Sequence, residues 1–199
     1  MNIYTIQNGV LTYQKPEPFR LEKQMQQLIE NNLSSISELE LVKSEFIIKN
    51  KRIDTLAYNS RLKAFVIIEY KRDKNYSVID QGIAYLKFML ENKAEFLLEY
   101  NEKTGSTISR KDIKWKNSYV IFASPHFTEH QRNAASYKDM RIILWEVTLY
   151  GGEILAISEI TGQSCDDVNN SASAKERSDQ NWMTDPLWNN IKKIGKRVY

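Results

Sequence analysis

Two carboxylates and a lysine come close together in RIDTLAYNSRLKAFVIIEYKRD, residues 52–73. Asp54 stands near its start, and Glu69 and Lys71 stand at the end of a run that otherwise predicts a buried strand. Buried ions cost free energy unless they pair or hold a metal. Carboxylate oxygens suit Mg²⁺ or Mn²⁺, and a neighbouring lysine can polarise a phosphate oxygen or orient an attacking water. These residue types therefore favour metal-dependent chemistry on a phosphate.

Two strands joined by a short turn at residues 59–61 would have to bring these groups together, and such neighbours are antiparallel. Asp54 then lies opposite the end of the following strand, within reach of Glu69. Residues two apart on a strand share a face, so Glu69 and Lys71 point the same way. The two carboxylates would repel each other unless a cation lay between them. The alternative is a strand-end ion pair of Glu69 with Lys71, with Asp54 as an acid beside the turn.

The surrounding sequence predicts an α/β sandwich around a mixed sheet flanked by helices, because the elements follow the order α-β-β-β-α-β-α-β-β. The strand that ends at Lys71 is apolar on both faces and is predicted to be central. The predicted strands are residues 44–49, 52–58, 62–71, 117–124, 140–150 and 153–160; the predicted helices are residues 19–33, 77–92 and 128–139.

The first predicted helix carries an acid on its apolar side. At about 100° per residue, Glu22 falls inside the apolar stripe, between Ile29 and Leu33 in projection. Such an acid needs a partner. It would either form a salt bridge with Arg52 or Lys71, or take part in the metal site.

The helix predicted from Ser77 opens with a pattern that resembles a capping box, Ser77 followed by Asp80. Gln81 and Tyr85 are four apart and share one of its faces. Both are candidates for the site. Alternatively, Gln81 is simply a polar residue at the start of a helix, and Tyr85 is a core residue. A capping pair, Thr128 with Gln131, opens the third helix.

Composition adds a charge pattern to these motifs. The net charge is +3 and the sequence pI is near 8.8, but residues 49–74 hold eight Lys or Arg against three Asp or Glu. A basic segment around acidic residues is compatible with a phosphate-handling site, and the alternative is a solvated hairpin.

One cysteine, Cys165, excludes an internal disulfide. With no apolar run near the roughly 20 residues that span a bilayer, we expect a cytoplasmic protein without membrane contact.

The sequence pattern Asp54–x₁₄–Glu69–x–Lys71, which follows a helix that carries an acid, resembles the motif of the PD-(D/E)XK nuclease superfamily. Gln81 and Tyr85 match the Q-x-x-x-Y helix of the branch that includes the C-terminal nuclease domain of EndoMS/NucS. SPHFTEHQRNAASY and IILWEV are similar to later parts of that domain, so the resemblance spans residues 19–146. Ile53 departs from the pattern, since it stands where the superfamily's name places proline.

The resemblance implies a restriction-endonuclease-like core and a DNA endonuclease that depends on Mg²⁺ or Mn²⁺. Asp54, Glu69 and the main-chain carbonyl of Tyr70 would bind the metal, with Glu22 helping through water. Lys71 would position the attacking hydroxide. The implied phosphate-holding residues are Gln81, Arg52, Arg72 and Lys74. The alternatives are a catalytically silent nucleic-acid or protein-interaction module, or a regulatory partner of another nuclease or toxin.

Three regions are predicted along the chain. Residues 1–18 form an N-terminal hairpin or arm with its turn at Asn8-Gly9, and residues 19–162 form the nuclease-like domain. Residues 163–199 are predicted to be a polar linker and a basic amphipathic helix, which would dock on the nuclease-like domain, lead into a further domain or bind a protein partner. Double-strand cutting by a single site per chain would favour a homodimer.

Overall fold

The computed structural model describes residues 2–72, 77–137 and 140–160. The predicted linker and basic helix, Cys165 and Lys74 lie outside the described residues, and the division into three regions stays a prediction. At the N-terminus, β1 (Ile3–Gln7) and β2 (Val10–Gln14) pair as a separate antiparallel hairpin. Its turn lies where it was predicted, with positive φ at Asn8 and Gly9.

The main body is a mixed seven-stranded sheet with helices on both faces, which confirms the predicted α/β architecture. The strands are β3 (Pro16–Glu17), β4 (Leu39–Ile48), β5 (Lys51–Asn59), β6 (Ala64–Tyr70), β7 (Tyr119–Ser124), β8 (Ile142–Tyr150) and β9 (Ile154–Ile160). The helices are α1 (Glu22–Asn31), α2 (Leu33–Ile36), α3 (Val78–Glu91), α4 (Lys93–Thr104) and α5 (Glu129–Ala135), with a 3₁₀ turn at Trp115–Asn117.

Strand β6 is central, as its apolar sequence predicted. The sheet order is β3-β8-β7-β6-β5-β4, with β9 along the other edge of β8. β4, β5 and β6 are antiparallel neighbours, whereas β6, β7 and β8 are parallel. Every residue of β6 is buried, which requires cover on both faces. The predicted order α-β-β-β-α-β is therefore confirmed.

Two apolar layers cover the sheet. On one face, Phe65 and Ile67 of β6 belong to a cluster with residues of α3, α4 and α5. On the other face, Val66, Ile68 and Tyr70 belong to a cluster with residues of α1 and α2. The alternation follows from the strand period of two, so side chains of β6 reach helices on opposite sides. Among the described residues, no helix is long and apolar enough to cross a membrane.

Two of the helix predictions need correction, and one helix was not predicted. The first helix begins at Glu22 rather than near Phe19, and it stops before a separate short helix, α2. Ser77 precedes α3, but its side chain makes no capping hydrogen bond, so the predicted capping box is wrong there. The capping box of Thr128 and Gln131 is confirmed at α5. Helix α4 was not predicted; Phe96 and Tyr100, four apart, are the residues it buries.

Candidate active site

The ladder of backbone hydrogen bonds between β5 and β6 ends next to Asp54, and the two strands part there. Backbone pairing between these strands ends at Thr55 opposite Ile68. Beyond that pair, the Tyr70 N–H donates to Oδ2 of Asp54 at 3.2 Å instead of to a backbone carbonyl. The Asp54 carbonyl accepts from Nε2 of Gln26 on α1 at 2.9 Å. Asp54 therefore lies where the two strands part, with its side chain against the end of β6.

Glu69 is a buried acid with one occupied oxygen and one without a partner. It is 5% exposed. Its Oε1 accepts from Nζ of Lys71 at 2.9 Å and from Nε2 of Gln81 at 3.4 Å. Its Oε2 is buried and has no hydrogen-bond partner among the described residues. An unpaired buried carboxylate oxygen is costly, so it is a position where a ligand would recover free energy.

Helix α3 brings Gln81 and Tyr85 to this end of the sheet because Gly82 lets it pack closely. A Cβ on Gly82 would lie 2.6 Å from Cδ1 of Ile142, on the sheet below. The Gln81 amide reaches both Glu69 and the Tyr85 hydroxyl, the latter at 3.4 Å. Tyr85 is buried with the core cluster on this face and its hydroxyl lies 3.5 Å from the Arg52 carbonyl. Tyr85 is therefore a core residue that also lies next to the candidate site, whereas the sequence left these two interpretations open.

Burial and like charge raise the pKa of both carboxyl groups. The pKa of Asp54 is raised chiefly by burial. The hydrogen bond from the Tyr70 N–H and the positive charge of Lys71 lower it, but by less. The pKa of Glu69 is raised by burial first and by the charge of Asp54 second, against its contacts with Lys71. With both acids ionised, one ammonium faces two carboxylates, and a cation between them would relieve the excess negative charge.

The donor set fits a small hard divalent ion. Asp54 and Glu69 supply carboxylate oxygens, one of them the buried Oε2 without a partner. No group of three or more His, Cys, Asp or Glu suited to a metal occurs within residues 2–72, 77–137 and 140–160. Mg²⁺ commonly takes one or two carboxylates and completes its shell with water and phosphate oxygens. Two carboxylates are therefore compatible with Mg²⁺ or Mn²⁺ and are a poor match for a fully protein-ligated zinc site.

Glu22 does not lie where the helical wheel predicted. It is exposed at the first residue of α1, and Leu21 before it is also exposed. Its Oε1 accepts from the backbone N–H of Arg72 at 3.0 Å, so it makes neither of the two predicted salt bridges in the described structure. A wheel gives only the direction around the helix axis, and Glu22 contacts Arg72, which lies past the last residue of β6.

The predicted phosphate-binding arginines are placed differently from each other. Nε of Arg52 pairs with Oε2 of Glu45 at 3.1 Å, and its side chain is 65% exposed. Arg72 directly follows Lys71 at the end of β6, and its Nη1 donates to the Arg20 carbonyl at 3.0 Å. Arg72 is therefore held beside the site, whereas Arg52 is engaged by a neighbour on β4.

Sequence reasoning missed two polar residues of α1 that support the site from the opposite face. Gln26 is 3% exposed and donates to the Asp54 carbonyl and, at 2.9 Å, to Oε1 of Glu30. The Thr55 hydroxyl donates to the same Glu30 oxygen and lies 3.2 Å from the Tyr70 hydroxyl. On the helical wheel Gln26 lies at the edge of the apolar stripe, next to Leu33, and that position was the available signal.

Comparisons with known proteins found one sequence relative and two solved structures that are similar to parts of this chain. No family model matches the sequence. An uncharacterized protein of Haemophilus influenzae is 46% identical over 180 residues, which cover 90% of this chain and 59% of that protein. The chain thus spans about three fifths of the length of the curated relative it matches.

Two solved structures are similar to part of the chain. A repair endonuclease from Pyrococcus abyssi matches 63% of this chain and 47% of its own, at 17% identity and a TM-score of 0.36. An EndoMS–dsDNA complex matches 63% of this chain and 46% of its own, at 19% identity and a TM-score of 0.41. The α/β architecture itself is given by the mixed seven-stranded sheet of the chain.

Proposed function

We propose that this protein is a metal-dependent DNA endonuclease that hydrolyses phosphodiester bonds. One observation carries the proposal. At the point where the β5–β6 ladder opens, Asp54 lies beside the buried Glu69, and Glu69 keeps one oxygen without a partner while Lys71 binds the other. Two acids and a lysine at the end of a central strand can bind a metal ion and orient a water for phosphodiester hydrolysis. The PD-(D/E)XK-like motif and the basic segment around it support DNA as the substrate.

Each residue has a distinct role in the proposed reaction. Asp54, Glu69 and the main-chain carbonyl of Tyr70 would hold Mg²⁺ or Mn²⁺, which supplies Lewis-acid polarisation of the phosphate when bound. Lys71 is fixed by Glu69 at 2.9 Å and would orient the water that attacks phosphorus. The new bond joins the water oxygen to phosphorus, the bond to the leaving oxygen breaks, and that oxygen takes up a proton.

Supporting residues would position this arrangement. Gln81 contacts Glu69 and would keep its carboxylate aligned or meet a phosphate oxygen. Arg72, next to Lys71, would hold a phosphate of the same strand. Glu22 contacts the Arg72 backbone and would act on the site through that segment or through water.

A catalytically silent module with the same fold is the second candidate. The observation in its favour is that Lys71 and Gln81 already occupy one oxygen of Glu69, so part of the site is paired without any metal. Such a module would bind DNA or a protein partner, and its DNA binding would be sensitive to salt and indifferent to a chelator.

The deciding experiment measures cleavage of single-stranded, branched and mismatched DNA with Mg²⁺ or Mn²⁺, with and without EDTA. We expect cleavage only with metal, and a fall of at least about 100-fold in Asp54→Asn and Glu69→Gln. Glu99→Gln is the matched control, because Glu99 also accepts from a lysine, Lys43, at 2.9 Å but lies on α4. Equal cleavage by wild type and Asp54→Asn would overturn the proposal, and chelator-independent binding without cleavage would support the silent module.

A further inference from the structure

The N-terminal hairpin of β1 and β2 presents four apolar side chains on one of its faces. Tyr4 lies directly opposite Tyr13, and their ring centroids are 5.5 Å apart. Ile6 lies directly opposite Leu11. Opposite residues share a face, and so do residues two apart on one strand, so these four side chains form one apolar face. Their exposed fractions are 49% for Tyr4, 50% for Tyr13, 73% for Ile6 and 62% for Leu11.

The other face of the hairpin is more polar and lies partly against the main body. Thr5 and Gln14 on that face are half-buried, and Nε2 of Gln14 donates to Oγ1 of Thr5 at 3.0 Å. The side-chain oxygen of Gln14 lies close to Gly151, in the turn that follows β8. The hairpin therefore turns its polar side to the protein and its apolar side to solvent. This is the reverse of the usual arrangement in a sheet with one solvated face.

Such an arrangement calls for a further apolar surface. A hairpin of two strands is marginally stable in water unless its apolar side packs against something else. Four large side chains at these exposures present about 400–500 Å² of accessible surface. Exposed patches of that size on a chain are often interaction sites. The apolar face is therefore a candidate docking surface.

The charge of the hairpin favours a second copy of this chain as the occupant. Residues 2–14 contain no Asp, Glu, Lys, Arg or His. The face thus offers no cation to a DNA phosphate or an anionic lipid headgroup, and no charge to a charged protein partner. Two copies of it can meet without repulsion, although each whole chain has a net charge of +3.

The apolar face also matches itself. Both tyrosines lie at one end of it, and Ile6 and Leu11 lie at the end next to the turn. A two-fold axis across the strands places the tyrosine end of one hairpin on the aliphatic end of the other, as an isologous contact requires. Such a contact buries about 800–1,000 Å² in total, which lies at the low end for specific interfaces and suits a weak, reversible dimer.

We propose that the apolar face of the N-terminal hairpin joins two copies of this chain, face to face about a two-fold axis. The inference goes beyond the proposed nuclease function, because the hairpin is a separate sheet from the one that carries Asp54 and Glu69. Neither metal nor DNA takes part in the contact. The dimer and the nuclease can therefore fail independently.

Sedimentation velocity of the full chain in EDTA, without DNA, tests the dimer over about 1–500 µM protein. We expect a reversible dimer with a Kd on the order of 10–100 µM. Leu11→Lys should weaken it at least about tenfold, because it removes apolar contact and brings two like charges together. Val10→Lys is the matched control and should dimerise like wild type. Val10 is the adjacent residue and is 65% exposed, but it lies on the other face of the hairpin.

A charge-pair rescue separates a lost interface from a lost hairpin. Leu11→Glu alone should dimerise as weakly as Leu11→Lys, and an equal mixture of the two should associate more strongly than either, because opposite charges then meet. A hairpin that no longer folds would show no such rescue. The proposal is overturned by a mixture no stronger than its components, or by equal weakening in Val10→Lys and Leu11→Lys. A wild type that stays monomeric throughout, or forms assemblies larger than two, would reject the second copy and assign the face to another occupant.

Discussion

At the turn end of the β5–β6 hairpin, Phe65 is fully buried inside an aromatic cluster. Its ring centroid lies 5.4 Å from that of Tyr58, 5.9 Å from Phe96, 6.0 Å from Tyr100 and 5.4 Å from Trp115. The backbone ladder is complete here, with Tyr58 opposite Phe65. This end of the hairpin satisfies its backbone and buries apolar surface at the same time, so it stabilises the fold.

Roughly 13 Å away along the same strand, the other end of the hairpin lacks both features. The ladder stops before Asp54, and two acids with raised pKa values share one lysine. An oxygen of Glu69 stays buried without a partner among the described residues. Local features that cost stability are typical of functional sites. The comparison indicates that the turn end stabilises the fold, and that this stability offsets the cost of the features at the open end.

The largest expected effect comes from breaking the turn end. Phe65→Ala should lower the free energy of unfolding by about 3–5 kcal/mol, because it removes a fully buried ring and leaves a cavity. Urea denaturation measures this loss, and Phe65→Leu provides a milder variant if alanine unfolds the chain. Cleavage per folded molecule should stay at the wild-type level in either variant. A parallel loss of cleavage in folded Phe65→Leu would show that the two ends are not separate.

A smaller effect is expected where α1 supports the open end. Gln26→Met should lower the free energy of unfolding by about 1–3 kcal/mol, because the Asp54 carbonyl loses its buried donor. The exposed Gln27, next along the same helix, gives the matched variant Gln27→Met, which should stay within about 0.5 kcal/mol of wild type. Equal stabilities of the two variants, measured by urea denaturation, would mean that Gln26 does not support the site.

The smallest effect has the opposite sign and depends on pH. In metal-free wild type, the raised pKa values of Asp54 and Glu69 mean that the folded state binds protons more tightly than the unfolded chain. The free energy of unfolding should therefore fall as pH rises from the ordinary values of 3.8 and 4.5 through the raised values. Asp54→Asn keeps an acceptor for the Tyr70 N–H and removes one of the two charges. It should make that fall shallower and be about 1 kcal/mol more stable at neutral pH.

Urea denaturation in EDTA between about pH 4 and 8 checks this prediction. Glu99→Gln, in the ion pair of α4 with β4, should keep the wild-type fall. A fall as steep in Asp54→Asn as in wild type would mean that the open end carries no electrostatic cost from this acid.

Local sequence was sufficient to predict the hairpin and the meeting of its acids. The short turn fixes the register of β5 and β6, so Asp54 and Glu69 can be placed from spacing alone. Glu22 shows the limit of this reasoning, because a helical wheel contains no information about where the sheet beneath the helix ends. The contact of Gln26 with the Asp54 backbone depends on how α1 crosses the sheet, which is tertiary information. The contact of Arg72 with the Arg20 carbonyl joins residues far apart in sequence, so no local pattern could indicate it.

Calorimetric titration of Mn²⁺ into the metal-free protein tests the central claim most directly. We predict one ion per chain in wild type and at least about tenfold weaker binding in Asp54→Asn and Glu69→Gln, because each loses a carboxylate ligand. The Glu99→Gln control should bind like wild type. Binding that is absent from wild type, or equal in all four proteins, would contradict a metal site between Asp54 and Glu69.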